Sequence, residues 1–296
     1  MNFSNRKVLY INLSDKTFNV KTYPDLHAYL GGLALGLKLL QMHADEDPLI
    51  FSIGPLNGLF PYVSKTCVLT GSNLDLATES NSIINPGRKG LTELYLGGSL
   101  SSRLRFIGLD AVVILGKSKT PVFTEITSGA VNFYDSFEEF SGKSLPGRSS
   151  LLSFKEHLLL DDYFHTKDHL LSFLFAKRNL GGLLINADSS FDIEGISRYG
   201  KLYLKLFNEA QKLKISPADN PSCVGCPMGC DKSQVGETSG NVLVHSLVAC
   251  TYAEEIYSDP GVVFSCLNAL GYVYTHEELE NIPNLVKSLM EDLENL

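Results

Sequence analysis

The chain has 296 residues, 44% of them hydrophobic and 20% charged, and this composition indicates a globular protein with a sizeable core. Its formal net charge of −8 argues against a nucleic-acid-binding surface, because phosphate recognition needs a concentrated basic face. No apolar run approaches the roughly 18 residues of a spanning helix, and the N-terminus carries no export signal, so we expect a cytoplasmic protein without membrane association.

The first half of the chain carries patterns that are typical of β-strands. Within residues 8–20, apolar residues alternate along the chain on both sides of a Ser-Asp-Lys-Thr turn, and this pattern predicts a hairpin. A second hairpin is predicted at residues 110–126, around a Gly-Lys-Ser-Lys-Thr-Pro turn. Further strands are predicted at residues 49–56, 66–71 and 131–134. Cys67 falls within one of these strands and is interpreted as a core residue.

Helical periodicity and capping signals predict four helices elsewhere. Apolar residues at helical spacing, with paired glycines at the start, predict a helix over residues 29–43. A second helix is predicted over residues 196–215, which a Ser-Pro pair closes. Near the C-terminus, Thr275 and Glu278 match a capping box, and Pro283 suits the first turn of another helix.

The leucine-rich stretch at residues 151–174 contains no glycine and is predicted to be helical. His165 and His169 are four residues apart within it, a spacing that paired metal ligands on a helix also show. No acidic residue or third histidine completes such a site, so we interpret this pair as part of a solvated or half-buried helix face.

These elements predict an α+β fold. The first domain, residues 1–195, is sheet-rich, and the second region, residues 196–296, is mostly helical and contains a cluster of cysteines. Neither internal repeats nor a low-complexity linker separates the two parts.

That cysteine cluster is the most specific chemical signal of the sequence. Cys223, Cys226 and Cys230 bring three thiols into eight residues, and thiolates this close usually serve one metal centre. An iron–sulfur cluster, of the [4Fe–4S] type, is favoured, and zinc is the alternative. A cubane takes four ligands, so a fourth must come from elsewhere. Cys250 is preferred over Cys266, although each is equally compatible with a small buried hydrophobe.

Several short segments occur in an order that resembles one family, the tungsten- and molybdopterin-dependent aldehyde:ferredoxin oxidoreductases. The segments are residues 6–14, 30–36, 50–58, 96–99, 108–122, 223–230 and 235–238. The resemblance covers roughly residues 6–240. It implies an N-terminal domain of two β-sheets that enclose part of a pterin cofactor, with a [4Fe–4S] cluster held by the cysteine loop.

The resemblance also implies site residues. It identifies Lys65, Gly97, Gly98, Gly181 and Gly182 as the residual pterin-side surface. Lys65 stands where the family has an arginine, so the charge is kept and the planar fork is lost. An Asn-Ser-Gly-Gly stretch of the family becomes Tyr-Leu-Gly-Gly before Ser99. We interpret the pterin site as weakened, rebuilt or completed by another chain.

Three functional hypotheses follow. The first is an oxidoreductase that passes electrons between a tungsten- or molybdopterin centre and a ferredoxin-type acceptor, incomplete alone and paired with a larger subunit or as a homodimer. The second is a truncated, non-catalytic paralogue that serves as a cluster- or zinc-bearing interaction subunit. The third is a structural zinc site with Cys250 or His245 as its fourth ligand. No carboxylate or histidine pair stands out as catalytic.

Overall fold

The computed structural model describes residues 5–71, 91–154, 157–162, 164–165, 170–190, 193, 195–213 and 241–295. The strands are β1 (Arg6–Asn12), β2 (Thr17–Tyr23), β3 (Leu49–Ser52), β4 (Thr66–Gly71), β5 (Leu91–Leu96), β6 (Ala111–Leu115), β7 (Val122–Ile126), β8 (Val131–Tyr134), β9 (Ser149–Phe154), β10 (Leu158–Leu160), β11 (Phe164–His165) and β12 (Leu180–Asn186). The helices are α1 (Gly32–Met42), α2 (Leu100–Phe106), α3 (Phe137–Ser141), α4 (Leu170–Lys177), α5 (Ile196–Ala210), α6 (Val242–Leu247), α7 (Glu254–Tyr257), α8 (Pro260–Ala269), α9 (His276–Glu280) and α10 (Ile282–Glu294).

The strands form two mixed sheets of six strands each. The first sheet has the order β2-β1-β6-β3-β4-β5, and the pairing of β1 with β6 is parallel. The second sheet has the order β11-β10-β9-β12-β7-β8, and the pairing of β12 with β7 is parallel. The predicted α+β fold with two N-terminal β-sheets is thereby confirmed.

Side chains on the two faces of the first sheet contribute to two separate apolar cores. In β1, Leu9 and Ile11 point into the core shared with the second sheet, whereas Val8 and Tyr10 point into the core shared with α1 and the C-terminal helices. Because side chains alternate between the faces of a strand, a sheet buried on both faces needs apolar residues at successive positions. The first sheet is therefore the central layer of the molecule.

The predicted hairpin at residues 110–126 is wrong. Its two strands exist, but β6 lies between β1 and β3 in the first sheet, and β7 lies between β12 and β8 in the second. The connection crosses between the sheets, where the Val122 amide donates to the Asn179 carbonyl (2.9 Å). Both strands are buried along most of their length, so each takes a central position with neighbours on both sides.

The prediction of helix over residues 151–174 is also wrong for most of that stretch. Strands β9, β10 and β11 occupy its first part, and α4 begins only at Leu170. Asp161 and Asp162 have φ values of 54° and 67°, a left-handed conformation that aspartate tolerates, and they form the turn that leads out of β10. His165 lies in β11, and His169 lies outside the described residues.

Several helix predictions are confirmed. The predicted helices at residues 29–43 and 196–215 correspond to α1 and α5. Thr275 and Glu278 form the capping box at the start of α9, and Pro283 lies in the first turn of α10. Within the described residues, no helix is long and apolar enough to cross a membrane.

Two buried arginines attach the connection between α8 and α9 to β1 and to α2. Arg6 of β1 donates from Nε to the Tyr29 carbonyl (3.1 Å) and from Nη2 to the Tyr274 hydroxyl. Arg105 of α2 donates from Nη1 to the Tyr272 hydroxyl (3.4 Å). The apolar core on that face contains residues from both sides of the predicted domain boundary at residue 195. That boundary stays a prediction.

Candidate functional site

Two of the predicted site residues lie at one end of the first sheet. In the β4–β5 pair, Thr66 is opposite Leu96, so Lys65 and Gly97 are the next residues beyond the same end of the ladder. Lys65 is buried with 1% of its surface exposed, and its carbonyl accepts a hydrogen bond from Nδ2 of Asn57 (2.8 Å). A buried lysine therefore lies at this end of the sheet.

The segment that carries Cys250 pairs with the segment that carries Lys65. The Lys65 amide donates to the Val248 carbonyl (3.1 Å), and the Cys250 amide donates to the Tyr62 carbonyl (2.9 Å). These two backbone hydrogen bonds pair the segment before β4 with the segment after α6. Cys250 is 8% exposed. The structure thus pairs the two backbone segments that carry the lysine predicted for the pterin side and the cysteine predicted as the fourth cluster ligand.

Two glycines, at the start of α1 and after β3, allow α6 to pack closely against these segments. At Gly32, φ is +44° and a Cβ atom would lie 2.6 Å from the His245 carbonyl oxygen. At Gly54, a Cβ atom would lie 2.4 Å from the Leu247 carbonyl oxygen. Both distances are far below van der Waals contact, so only glycine lets α6 lie against these loops. The absence of side chains at Gly32 and Gly54 therefore allows α6 to lie against both segments.

A row of buried polar side chains runs across the sheet beneath α6. Cys67 is paired with Ser52 of β3 on one side and with Tyr95 of β5 on the other. The Ser52 hydroxyl donates to the Gly32 carbonyl (2.6 Å), and the Tyr95 hydroxyl lies 2.7 Å from Nδ1 of His245. The row joins the sheet to both α1 and α6 through hydrogen bonds that water does not reach.

Burial determines the protonation of this row. It lowers the pKa of His245 to about 4, so the imidazole is neutral at physiological pH. Burial, together with the charge of Glu93, raises the pKa of the Cys67 thiol well above its ordinary value. Cys67 is a protonated core residue, which confirms its predicted position in the core.

Gly98 is held by the second sheet. Its φ is +71°, and a Cβ atom there would lie 2.8 Å from Cδ2 of Leu160. The Asp161 carboxylate accepts hydrogen bonds from the Ser99 amide (2.9 Å) and the Ser99 hydroxyl (2.7 Å). The Gly-Gly-Ser segment therefore forms the contact between the start of α2 and the turn after β10.

Gly181 and Gly182 lie in β12, in the second sheet, and the structure does not bring them to Lys65. A Cβ atom at Gly181 would lie 2.6 Å from Cε1 of Phe123, and one at Gly182 would lie 2.9 Å from Cε1 of Phe140. Aromatic side chains of the chain itself thus fill the space beside both glycines. Gly181 and Gly182 therefore do not line an open space for a cofactor, and their contact with a cofactor stays a prediction.

Cys223, Cys226 and Cys230 lie outside the described residues. Among the residues that are described, no group of three or more His, Cys, Asp or Glu side chains is arranged to hold a metal ion. Cys266, the other candidate for a fourth ligand, is fully buried in α8, and burial raises the pKa of its thiol to about 12. The ligand set of the cluster therefore stays a prediction.

Sequence reasoning missed two polar contacts that shape this region. The Tyr95–His245 contact joins residues 150 positions apart, and no local pattern indicates it. Asp161 anchors Ser99, and here a signal existed, since two adjacent aspartates between leucine runs are typical of a turn.

The fold resembles that of a solved complex. The active site complex BamBC of benzoyl coenzyme A reductase, in complex with 1,5-dienoyl-CoA, superposes with a TM-score of 0.56. The match covers 73% of this chain and 36% of that chain, at 17% sequence identity. At this identity the likeness shows a shared fold.

Curated relatives match part of the chain. The tungsten-containing aldehyde ferredoxin oxidoreductases of Pyrococcus horikoshii and Thermococcus kodakarensis are 30% and 32% identical over 139 residues, which is 44% of this chain and 21% of either relative. The matched region thus spans about a fifth of the length of these relatives. The family model "Aldehyde ferredoxin oxidoreductase, N-terminal domain" matches residues 8–157, just over half of the chain. The chain belongs to the aldehyde ferredoxin oxidoreductase family, through the N-terminal domain of that family.

Proposed function

We propose that the chain is an iron–sulfur subunit of an aldehyde ferredoxin oxidoreductase-type enzyme, which passes electrons between a tungsten- or molybdopterin centre and a ferredoxin-type acceptor. The observation that carries this proposal is the contact of the Lys65 and Cys250 segments. Lys65 stands where the family has an arginine, and Cys250 is the preferred fourth ligand of the cluster. A cation beside a cluster ligand offsets the negative charge of thiolate-bound iron.

The residues near Lys65 fit such a role better than the glycines of the second sheet. The end of the β4–β5 pair provides a buried cation and a row of hydrogen-bonded polar side chains, which could orient a polar cofactor. Gly181 and Gly182 are covered by Phe123 and Phe140. The pterin side of the site would therefore be completed by a larger subunit or by a second copy of the chain.

When bound, the pterin centre would supply oxygen transfer from water, so that an aldehyde yields an acid, two protons and two electrons, and the cluster would release these electrons singly. The chain itself would hold the cluster through Cys223, Cys226, Cys230 and Cys250 and exclude water with α6. Neutral His245 would keep α6 on the sheet through Tyr95 without adding a charge to the site.

One observation favours a second candidate, a non-catalytic subunit that bears a cluster or a zinc ion. Side chains of the chain itself occupy the space beside Gly98, Gly181 and Gly182. A subunit that keeps the cysteine loop without binding a pterin would tolerate that packing.

The test is anaerobic purification, followed by a visible spectrum and by analysis of iron, zinc, tungsten and molybdenum in the same sample. The proposed function predicts iron near four atoms per chain and an absorption that bleaches on reduction. It also predicts that Cys226→Ser abolishes this absorption, whereas Cys67→Ser, at a buried thiol outside the loop, retains it. Comparing Cys250→Ser with Cys266→Ser identifies the fourth ligand.

Each outcome points to one candidate. Tungsten or molybdenum together with iron, in the chain or in its complex with a larger subunit, would support the oxidoreductase. Iron alone, in both preparations, would support the cluster-bearing subunit. Zinc, or no metal in an anaerobic preparation, would overturn the redox proposal.

A further inference from the structure

The outer face of α5 carries an unusual stripe of positive charge. Arg198, Lys201, Lys205 and Lys212 recur at helical spacing, so they lie on one side of the helix and its C-terminal extension, and all four are exposed. Glu209 is the one acidic residue within α5, and it is partly buried. We call these four residues the basic stripe.

Glu209 lies four residues after Lys205 on the same side of α5, but no side chain of the basic stripe is paired with an acidic residue in the part of the chain that the structure describes. None of its four side chains forms an ion pair there, whereas Lys16, Lys177 and Lys287 each do. The chain as a whole has 33 acidic and 25 basic residues. A local concentration of unpaired cations on an acidic protein produces a field that attracts an acidic partner and aligns it on approach.

An exposed apolar side chain lies next to the basic stripe. Leu204 is 60% exposed and follows Lys201 by three residues, about one turn of α5. Protein interfaces commonly combine an apolar contact with a rim of charges, so the apolar part supplies affinity and the charges supply orientation. This combination fits a protein partner.

The inner face of α5 connects the basic stripe to the candidate site. Tyr199 packs edge-on against Phe60, with ring centroids 5.2 Å apart, and its hydroxyl donates to the Leu59 carbonyl. The same loop continues to Tyr62, whose carbonyl accepts the hydrogen bond from the Cys250 amide. A protein docked on α5 would therefore lie on the helix that contacts the loop beside the predicted cluster ligand.

We propose that the basic stripe and Leu204 form the docking surface for a small acidic electron-transfer protein, which accepts single electrons from the cluster. The proposal rests on the proposed function, because it names where the electron acceptor binds. A nucleic acid or an anionic membrane fits less well, because recognition of many phosphates needs a larger basic face than four residues on a chain of formal net charge −8.

The experiment measures binding of an acidic [2Fe–2S] ferredoxin to the anaerobically purified full chain at low and high salt. The test variant is Lys201→Glu/Lys205→Glu. The matched control is Lys117→Glu/Lys119→Glu, which makes the same change of charge at two exposed lysines between β6 and β7. We expect binding to weaken by about tenfold or more in the test variant and by less than about twofold in the control. Circular dichroism confirms that both variants fold.

A second variant separates the apolar contact from the charges. Leu204→Ala should weaken ferredoxin binding to a similar degree at low and high salt, because burial of apolar surface is not screened. Salt should instead remove most of the difference between the wild-type chain and the lysine variant. Equal binding of the two double variants, or no binding by the wild-type chain, would overturn the proposal.

Two further measurements keep this inference distinct from the proposed function. A small viologen dye accepts electrons without docking. A chain whose cluster has been reduced with dithionite, and then separated from the excess dithionite, should therefore reduce the dye equally well in the wild-type form and in both double variants. If neither the wild-type chain nor any variant reduces the dye or shows an absorption that bleaches on reduction, the proposed function is wrong. If dye reduction is intact and ferredoxin binding does not depend on Lys201 and Lys205, only the docking surface is wrong. Binding to phosphatidylserine vesicles that depends on these lysines, in place of ferredoxin binding, would assign the surface to a membrane.

Discussion

The Tyr95 hydroxyl and Nδ1 of His245 lie 2.7 Å apart, and this contact fixes α6 to the edge of the first sheet. Both residues are almost completely buried, with 1% and 0% of their surfaces exposed. Tyr95 therefore gives the buried imidazole a polar partner in place of water.

Stability should decrease in mild acid because of His245. Burial lowers its pKa from 6.5 to about 4, so the unfolded chain binds more protons in this interval and the free energy of unfolding falls as the pH decreases through it. The loss is roughly 3 kcal/mol at most. Urea unfolding at pH 7 and pH 5 should show a smaller loss for His245→Gln than for the wild-type chain. His276→Gln, at an exposed position of α9, should leave the loss unchanged, and a similar loss in all three proteins would contradict the assignment.

The glycines beneath α6 should be intolerant of a side chain. At Gly32, the left-handed φ adds to the overlap with His245, so Gly32→Ala is expected to lower the free energy of unfolding by roughly 3 kcal/mol. Gly200→Ala is the control, because Gly200 lies in α5 with no atom near its missing Cβ, and it should stabilise the chain by about 0.5–1 kcal/mol. Denaturant unfolding distinguishes the two, and a harmless Gly32→Ala would mean that α6 does not lie on this loop.

Asp110 should contribute far more stability than an exposed acid. It accepts hydrogen bonds from the Lys7 amide (2.8 Å) and from the buried Arg105 guanidinium (3.3 Å). Asp110→Asn removes the counter-charge of a buried cation, at an expected cost of about 3 kcal/mol. Asp135→Asn breaks an exposed ion pair with Lys16 and should cost less than about 1 kcal/mol. Comparable losses in thermal unfolding would argue against the buried pair.

A substitution at Gly181 tests whether this glycine is needed for packing or for cofactor binding. If the glycine is needed only because Phe123 lies over it, Gly181→Ala should cost about 1–2 kcal/mol, and much less in a Phe123→Leu background. A double-mutant cycle of unfolding free energies gives this coupling. An uncoupled pair, combined with loss of bound cofactor in Gly181→Ala, would favour the predicted pterin contact.

Local pattern was sufficient for most elements and insufficient for their partners. Alternation identified β6 and β7, but it could not indicate that they belong to different sheets, because the pairing depends on β3 and β12, which are distant in sequence. The leucine run at residues 151–174 is compatible with a helix, but the chain turns at Asp161 and its first part forms strands. Lys65 and Cys250 were predicted as site residues from family resemblance and the chemistry of thiols, whereas the pairing of their segments could be seen only in the fold.

The Arg6–Tyr274 contact joins residues 268 positions apart and buries the arginine almost completely. During synthesis, β1 leaves the ribosome long before the tyrosine that accepts from its guanidinium has been added. Until then Arg6 must stay hydrated, because a buried cation without its polar partners is costly. Arg6 can therefore become fully buried only after nearly the whole chain has been made, and a nascent chain halted before residue 274 should leave the surface around Arg6 open to a chaperone.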